Sequence, residues 1–432
     1  MSHYKPYPEY KDSGVEWIGE VPAHWGDTKL VRVFKEKGKD LTAQYPAGAI
    51  SFGEVVTKEM RNEETLASYQ ALEEGEFIVN PLNLNYDLKS LRVALSDKDV
   101  RVSSGYIILR LCDGFQSRYV RWLMYLFDIR YMKTLGGGIR QTITFADIAK
   151  CHVAIPGCAE QSQIATFLDR ETTRIDTLIE KKKRFIELLE EKRQAVITHA
   201  VTKGLDPNVP MKDSGVEWIG AVPAHWGVKR LGYVGDIFKG SGGNKSDQTE
   251  EGVPCLRYGE IYTRYDSFLE KPVNYVSAES ASVYTPLQPG DIVFTASGED
   301  LSEIGKAVAV IFDGPLVCGG DTIILRPRWH ANHSTKFLGY LANAAPIAAQ
   351  KSVSGTGFTV VHISGGKIKE VRLAWPQSGE QSQIATFLDR ETARIDSLVD
   401  KTRESIELLK ERRSALITAA VTGKIDVREE AA

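Results

Sequence analysis

Apolar residues return at alternating steps of four and three through two stretches of this chain. Ile164, Leu168, Ile175, Leu178, Phe185, Leu189 and Val196 mark the first, interrupted by Glu171, Lys182 and Lys192. Ile384, Leu388, Ile395, Leu398, Leu409 and Leu416 mark the second in the same register. Such spacing predicts one apolar stripe along a long helix. Neither stretch holds Gly or Pro between its FLD and AVT motifs, so each can run for about forty residues, roughly 60 Å. A lone exposed helix would leave its stripe wet. Two in one chain can pair, and connection through a domain makes the pair antiparallel; the alternative is two separate helices, each packed on its own domain. Charged runs such as EKKKR at 180–184 then form the solvated face of the coil.

Between these stretches the pattern changes to short β-rich runs, such as RVSSGYIILRL and GDIVFTAS, bounded by Gly, Pro and Asp. Each such region also holds one shorter helical segment. SRYVRWLMYLFDIRYMKTL is expected to run from Ser117 as N-cap to the glycines at 136–138. STKFLGYLANAAPIAAQ, from Ser334, is its counterpart, and Pro346 should break it. Each region reads as an α+β domain.

The two halves repeat one another. DSGVEWIGEVPAHWG at 12–26 returns as DSGVEWIGAVPAHWG at 213–227, with only Glu20 against Ala221 differing. EQSQIATFLDRETTRID at 160–176 returns as EQSQIATFLDRETARID at 380–396, now offset by 220 rather than 201. IELLEEKRQAVITHAVTKGLD at 186 meets IELLKERRSALITAAVTGKID at 406. The offset grows only within the variable region, where SFGEV at 51 answers RYGEI at 257 and IILR at 107 answers IILR at 323. The second copy therefore carries extra residues, expected in loops between shared strands. Internal repetition decides the architecture: an α+β fold of two pseudo-repeated domains separated by a long two-helix antiparallel coiled coil. The expected boundaries are 1–158 for the first domain (hook 10–26), 159–205 for the first long helix, 206–378 for the second domain (hook 213–227), 379–427 for the second long helix, and 428–432 for a tail.

Charge and composition narrow the function. The chain has 432 residues and a net charge of −3, so it is no generic polycation that coats nucleic acid. No run of eighteen apolar residues crosses a membrane and no apolar leader opens the chain. Cys112, Cys151, Cys158, Cys255 and Cys318 are scattered without a CxxC pair, which fits reduced thiols in a cytoplasm. Catalytic constellations are missing. GSGGNKS at 240–246 resembles a phosphate loop, but Asn244 separates glycine from lysine. NPLN at 80–83 has Leu82 where the adenine-methyltransferase motif has a second proline, and no glycine-rich turn follows to hold a methyl donor. EIGK at 303–306 has the wrong spacing for a nuclease, and EEK at 190–192 lies on the coil. These absences argue for a binding protein. Nearly identical surfaces repeated twice suit one partner binding twice, whereas divergent domains suit two different ligands.

The hook DSGVEWIGEVPAHW, the helix entry EQSQIATFLDRET and the exit AVTGKID resemble the repeated regions of the specificity subunits of Type I restriction-modification enzymes. The resemblance covers nearly the whole chain, with three motifs in order, each present twice. It implies a non-catalytic DNA-recognition subunit whose variable domains each read one half of a bipartite, asymmetric double-stranded DNA target. The coil would space the domains, and two adenine methyltransferase subunits would dock on the repeated parts. Restriction subunits would join through them. S-adenosylmethionine, Mg2+ and ATP would belong to those partners, with no cofactor or metal in this chain. A coiled-coil scaffold or sensor that binds proteins and never touches DNA would also accommodate the repeat, but the family motifs tell against it.

Loop residues beside shared strands are the candidates for DNA contact. In the first domain these are Lys58, Arg61, Asn83, Asn85, Lys89, Arg92, Arg140, Gln141, Thr142 and Thr144. In the second they are Ser241, Asn244, Lys245, Arg257, Tyr258, Arg264, Tyr265, Thr356 and Thr359. Arginine suits guanine and Asn or Gln suits adenine by bidentate geometry, while the same Asn and Gly residues also serve ordinary turns. The hook residues Trp17, Ile18, Trp25, Trp218, Ile219 and Trp226 either pack on the coil ends or contact a methyltransferase subunit, and both roles are compatible.

Overall fold

A computed structural model describes residues 4–59, 63–82, 91–135, 142–243, 245–328, 333–357 and 360–430. Two compact units divide the chain, Met1–Lys182 with Arg403–Ala432, and Lys183–Thr402. The division falls inside both long helices. Each unit thus holds one variable domain with part of each helix, rather than a domain alone.

The long helices span Cys158–Lys203 and Ser378–Val421. Glu160 and Glu380 lie in their first turns, where a carboxylate meets the positive end of the helix dipole. Gly204 and Gly423 follow their last turns at φ +76° and +68°, a left-handed conformation that ends a helix and favours glycine. The helices pair antiparallel within each unit. In the first, Asp176 meets Arg413 at 2.9 Å; in the second, Asp396 meets Arg193 at 3.0 Å. These are the same two sequence positions with their helices exchanged.

The seam differs in detail from the expected stripe. Ile164, Leu168, Ile175, Leu189, Ile384, Leu388, Ile395 and Leu416 are buried, but Leu178, Phe185 and Leu398 are exposed. Ile179 and Val399 are buried one position on. A helix turns every 3.6 residues, so its buried face drifts from a strict heptad and carries the contact to the next residue.

The first variable domain is built on a four-stranded antiparallel sheet ordered Phe34–Glu36, Ile107–Leu111, Phe77–Val79, Val93–Leu95. Strands Tyr69–Leu72 and Val100–Ser103 form a second pairing. A cross-helix, Ser117–Arg130, connects the sheet to the long helix. Its N-cap is Gln116, not Ser117: Gln116 is extended and its N–H donates to Gln161 Oε1 at 2.9 Å, so a long-helix side chain fixes the start. In the second domain Ser334 does cap Thr335–Ala342, and the helix breaks before resuming at Ala345–Ser354 with Pro346 in its first turn.

Two five-stranded sheets form the second domain. One is ordered Gly235–Lys239, Thr322–Pro327, Ile292–Thr295, Ala307–Val310, Phe268–Leu269. The other is ordered Gln248–Thr249, Asn274–Val276, Val253–Leu256, Leu316–Cys318, Thr285–Leu287. Part of the extra length therefore folds into strands such as Phe268–Leu269 and Asn274–Val276 and not only into loops. Those segments lack the period-two alternation by which a strand is recognised in sequence. Phe294, Leu325, Phe337 and Ile368 share one core with Trp226 and the long-helix residues Ile197, Val201, Ile384 and Leu388.

Candidate functional site

Two kinds of site can be built from these elements: the repeated hooks on the helix ends, and the divergent loops at the sheet edges. In the first unit the indole N–H of Trp25 donates to Glu160 Oε1 at 3.0 Å, and His24 Nε2 lies 2.8 Å from Glu160 Oε2. The Tyr7 hydroxyl donates to Glu160 Oε1 at 2.7 Å. Burial, then this carboxylate, hold the Tyr7 phenol well above its usual range. In the second unit Trp226 and His225 both meet Glu380 Oε2 at 3.0 Å. Trp25 and Trp226 are fully buried, and Ile18 and Ile219 are buried beside them.

Each hook also receives the end of the other long helix. Lys424 Nζ donates to the Glu20 carbonyl at 2.8 Å in the first unit, and Lys203 Nζ donates to the Ile219 and Ala221 carbonyls in the second. The order Lys203–Gly204 is reversed as Gly423–Lys424, yet both lysines reach the hook. The hook thus fastens the start of one helix to the finish of the other. Asp169 holds Arg118 at 2.6 Å and the Trp122 indole at 2.8 Å; Asp389 holds Lys336 at 2.6 Å and the Tyr340 hydroxyl at 2.9 Å. Glu160, His24, Asp169, Lys424 and their counterparts were absent from the sequence candidates. For His24, Glu160 and Asp169, identity in both repeats was the available signal; the transposed lysines offered none.

Trp17 and Trp218, equivalent in sequence, differ in setting. Trp17 is half-buried, its ring 5.9 Å from Tyr131 in a stacked arrangement and 5.9 Å from Phe127 edge-on. Trp218 is 47% exposed.

Among the candidates for DNA contact in the first domain, Arg61, Asn83, Asn85, Lys89, Arg140 and Gln141 lie outside the described residues. Lys58 is exposed at the end of strand Glu54–Thr57. The Arg92 guanidinium donates to the Leu82 carbonyl at 2.7 Å, and its backbone N–H donates to Asp128. Burial raises the Asp128 carboxyl to about 6, against the opposing pull of these backbone donors. Ile143 N–H donates to the Pro81 carbonyl at 3.2 Å, so Thr142, which is exposed, comes beside the Asn80–Leu82 segment. The exposed Thr144 donates its hydroxyl to Asp147 at 2.8 Å in a capping box, because a Thr three residues before an acid opens a helix.

In the second domain Asn244 and Thr359 lie outside the described residues, as does the side chain of Lys245, whose backbone opens the short turn Lys245–Asp247. Four candidates have structural duties. The Ser241 hydroxyl donates to the Val283 carbonyl at 3.0 Å, and the Tyr265 hydroxyl to the Lys271 carbonyl at 3.0 Å. Arg257 precedes helix Tyr258–Thr263 and its N–H donates to Glu260 at 2.9 Å, and the Arg264 N–H closes the same helix. The Arg264 side chain remains exposed. Tyr258, by contrast, opens onto a groove of about 480 Å³ also lined by Tyr262, Ser297, Glu299, Glu303 and Val360. Thr356 pairs with His362 through its backbone, and His362 Nδ1 lies 3.0 Å from the Ser297 hydroxyl. The fold therefore brings Tyr258 to a groove with residues the sequence reading omitted, while Thr356 is joined to its border only through His362 and Ser297. Ser297, Glu299 and Glu303 follow strand Ile292–Thr295 as NPLN follows Phe77–Val79, and that parallel would have found them. Asp300 accepts from Ser302, which holds its carboxyl below the ordinary range. Ionised carboxylates only accept hydrogen bonds, so this lining suits exocyclic amino groups such as those of cytosine and adenine.

Among the described residues no group of three or more His, Cys, Asp or Glu side chains is placed to hold a metal ion. Likewise no described helix is long and apolar enough to cross a membrane.

Residues 68–188 and 223–408 match the family described as Type I restriction modification DNA specificity domain. The Type I restriction enzyme MjaVIII specificity subunit of Methanocaldococcus jannaschii is 26% identical over 286 residues, 64% of this chain and 62% of that protein. The chain thus spans somewhat under two thirds of that relative's length. A chain solved in work on complex assembly and conformational transition of the type I R-M system aligns with a TM-score of 0.69 at 18% identity, covering 93% of this chain and 98% of that one. The HsdS subunit from Thermoanaerobacter tengcongensis aligns with a TM-score of 0.52 at 18% identity, covering 94% and 98%. At these identities the two structures speak for the fold.

Proposed function

Because the chain belongs to the Type I restriction modification DNA specificity family, which comprises recognition subunits and not enzymes, we propose that its two variable domains read the two halves of one bipartite DNA target. The observation that carries this reading is the contrast between conserved frame and divergent edge. Hooks, helix entries and helix exits make matching contacts in both units. The loops that flank the central sheets differ in length, strand content and polar residues. One frame carrying two different edges suits a long ligand whose two ends differ, and double-stranded DNA is such a ligand.

The frame would serve a second purpose, the docking of two methyltransferase subunits. Leu178 and Leu398 are both 40% exposed, and Leu188 and Leu408 are 47% and 58% exposed. Each pair occupies equivalent helix positions, offset by 220. Apolar residues kept exposed at matching positions fit one partner surface used twice. Restriction subunits would join through the methyltransferases, and S-adenosylmethionine, Mg2+ and ATP would be bound by those partners. The helices would set the gap between the two half-sites. A net charge of −3 means this chain alone supplies few surplus cations for phosphate contact.

Exchange of residues 28–158 for the equivalent domain of another specificity subunit tests the proposal. Methylation mapping of a host carrying the hybrid should show one half of the target changed and the other intact. A hybrid in which both halves change, or which methylates the parental site, would refute the assignment of one half-site to each domain.

A further inference from the structure

The two hooks share fourteen of fifteen residues, yet the first tryptophan of each meets different surroundings. Trp17 is covered from within its own unit by Tyr131 and Phe127. In the second unit the cross-helix breaks after Ala342 and resumes at Ala345–Ser354, and Gln350, Val353 and Ser354 of that second piece border Trp218. Among the described residues no aromatic ring covers Trp218 as Tyr131 and Phe127 cover Trp17.

A groove of about 410 Å³ lies beside Trp218, bordered by Val353, Ser354, Lys367 and Arg372. Trp218 is 47% exposed and Val353 71%. The rim is cationic on balance. Glu370 is occupied by Arg230 at 3.2 Å, whereas neither Lys367 nor Arg372 has an ion-pair partner among the described residues. Glu217 is the one other acid bordering the groove.

We propose that the Trp218 groove receives an aromatic side chain of a docked methyltransferase subunit, flanked by an acidic residue, in the place that Tyr131 fills internally in the first unit. The first unit displays the chemistry of the occupant: an aromatic ring stacked on the hook tryptophan, with a second ring against its edge. Lys367 and Arg372 select an acidic neighbour for that ring. Tryptophan and arginine at the centre of an interface commonly carry a large share of its affinity. This inference rests on the docking of methyltransferase subunits proposed above, and adds the residue that anchors one of them.

The test uses the full-length chain and its cognate methyltransferase subunit. Native mass spectrometry would give stoichiometry, titration would give affinity, and hydroxyl-radical oxidation would report the exposure of each tryptophan. Wild-type chain should bind two methyltransferase subunits, and Trp218 should be protected from oxidation in the complex. Trp218→Ala should weaken one of the two equivalents by about tenfold or more, a change of about 1.4 kcal/mol. Val353→Tyr, which brings a ring to the border of the groove without removing the tryptophan, should weaken the same equivalent. Two equivalents bound to Trp218→Ala with wild-type affinity, or Trp218 oxidised equally with and without the partner, would overturn the assignment. Protection of Trp218 by self-association of the chain alone would assign the groove to a second copy and overturn it as well. A wild-type chain that binds no methyltransferase would instead refute the underlying docking proposal, and this inference with it.

Discussion

Lys351 lies wholly inside the second domain, where its ammonium donates to the carbonyls of Gly305 at 2.6 Å and Ala342 at 2.8 Å. Burial lowers its pKa to about 7. The unfolded chain would hold that proton up to about pH 10, so between these values the unfolded state binds more protons than the native one. Stability contributed at this position is therefore reduced at and below pH 7 and recovers as pH rises, with a slope of up to about 1.4 kcal/mol per unit. Urea unfolding of the wild type at pH 7 and 8.5 should show that gain, and Lys351→Met should remove most of the difference between the two curves. At the same scale, the groove beside Tyr258 predicts residues of specificity. Tyr258→Ala and Glu299→Ala should relax recognition of the second half-site at one or two positions, by about 1–3 kcal/mol for each lost base contact. Methylation of a target library would show the effect confined to one half; relaxation in the other half would contradict the placement.

At the scale of elements, the repeated motifs are explained by contacts and not by a pattern of hydrophobicity. Glu160 is nearly enclosed and serves Trp25, His24 and Tyr7, while Glu380 is more open and serves Trp226 and His225. Glu160→Ala should accordingly cost about 2–3 kcal/mol and Glu380→Ala about 1–2 kcal/mol, since an unpartnered buried donor carries its full desolvation penalty. Chemical denaturation of the two variants would check the order. The helix pairing offers a second test. Charge reversal of Arg413 alone should destabilise by about 0.5–1 kcal/mol, because Asp176 and Arg413 are only partly buried. Reversal of both should restore stability, and a double-mutant cycle measures the coupling.

For the whole molecule, the two-fold exchange of Arg193–Asp396 and Asp176–Arg413 means that lengthening one helix alone would shift the pairing register. Four residues inserted in both, after Arg184 and after Glu404, preserve the equivalence of the two strands of the coil. Four residues add about 6 Å and turn about 40° beyond one helical turn; two base steps of DNA add about 7 Å and turn about 70°. The half-sites should stay unchanged with one or two more unspecified base pairs between them. Methylation mapping of an active double-insertion strain that showed the parental gap would remove the helices as the element that sets it.

The sequence by itself determined the repeat, the long helices and their pairing sense, and the family. These rest on information that is local or periodic: apolar spacing, turn residues, and two copies of each motif to compare. Which side of each residue faces a partner was a tertiary decision. Nothing in DSGVEWIG distinguishes Trp17 from Trp218; the difference lies more than a hundred residues downstream, where Phe127 and Tyr131 cover the one and Gln350, Val353 and Ser354 border the other. Thr144, Ser241 and Tyr265 read as available polar groups, but folding directs their hydroxyls to Asp147, Val283 and Lys271. Tyr258 and Ser297 are far apart in sequence yet line one groove, and Thr356 is linked to Ser297 through His362 because strand Ser297–Gly298 pairs with Val361–His362. A hydrogen bond between residues far apart in sequence leaves no periodic trace, so the repeated motifs of the frame were legible in advance, while the contacts that close it and the groove it presents were not.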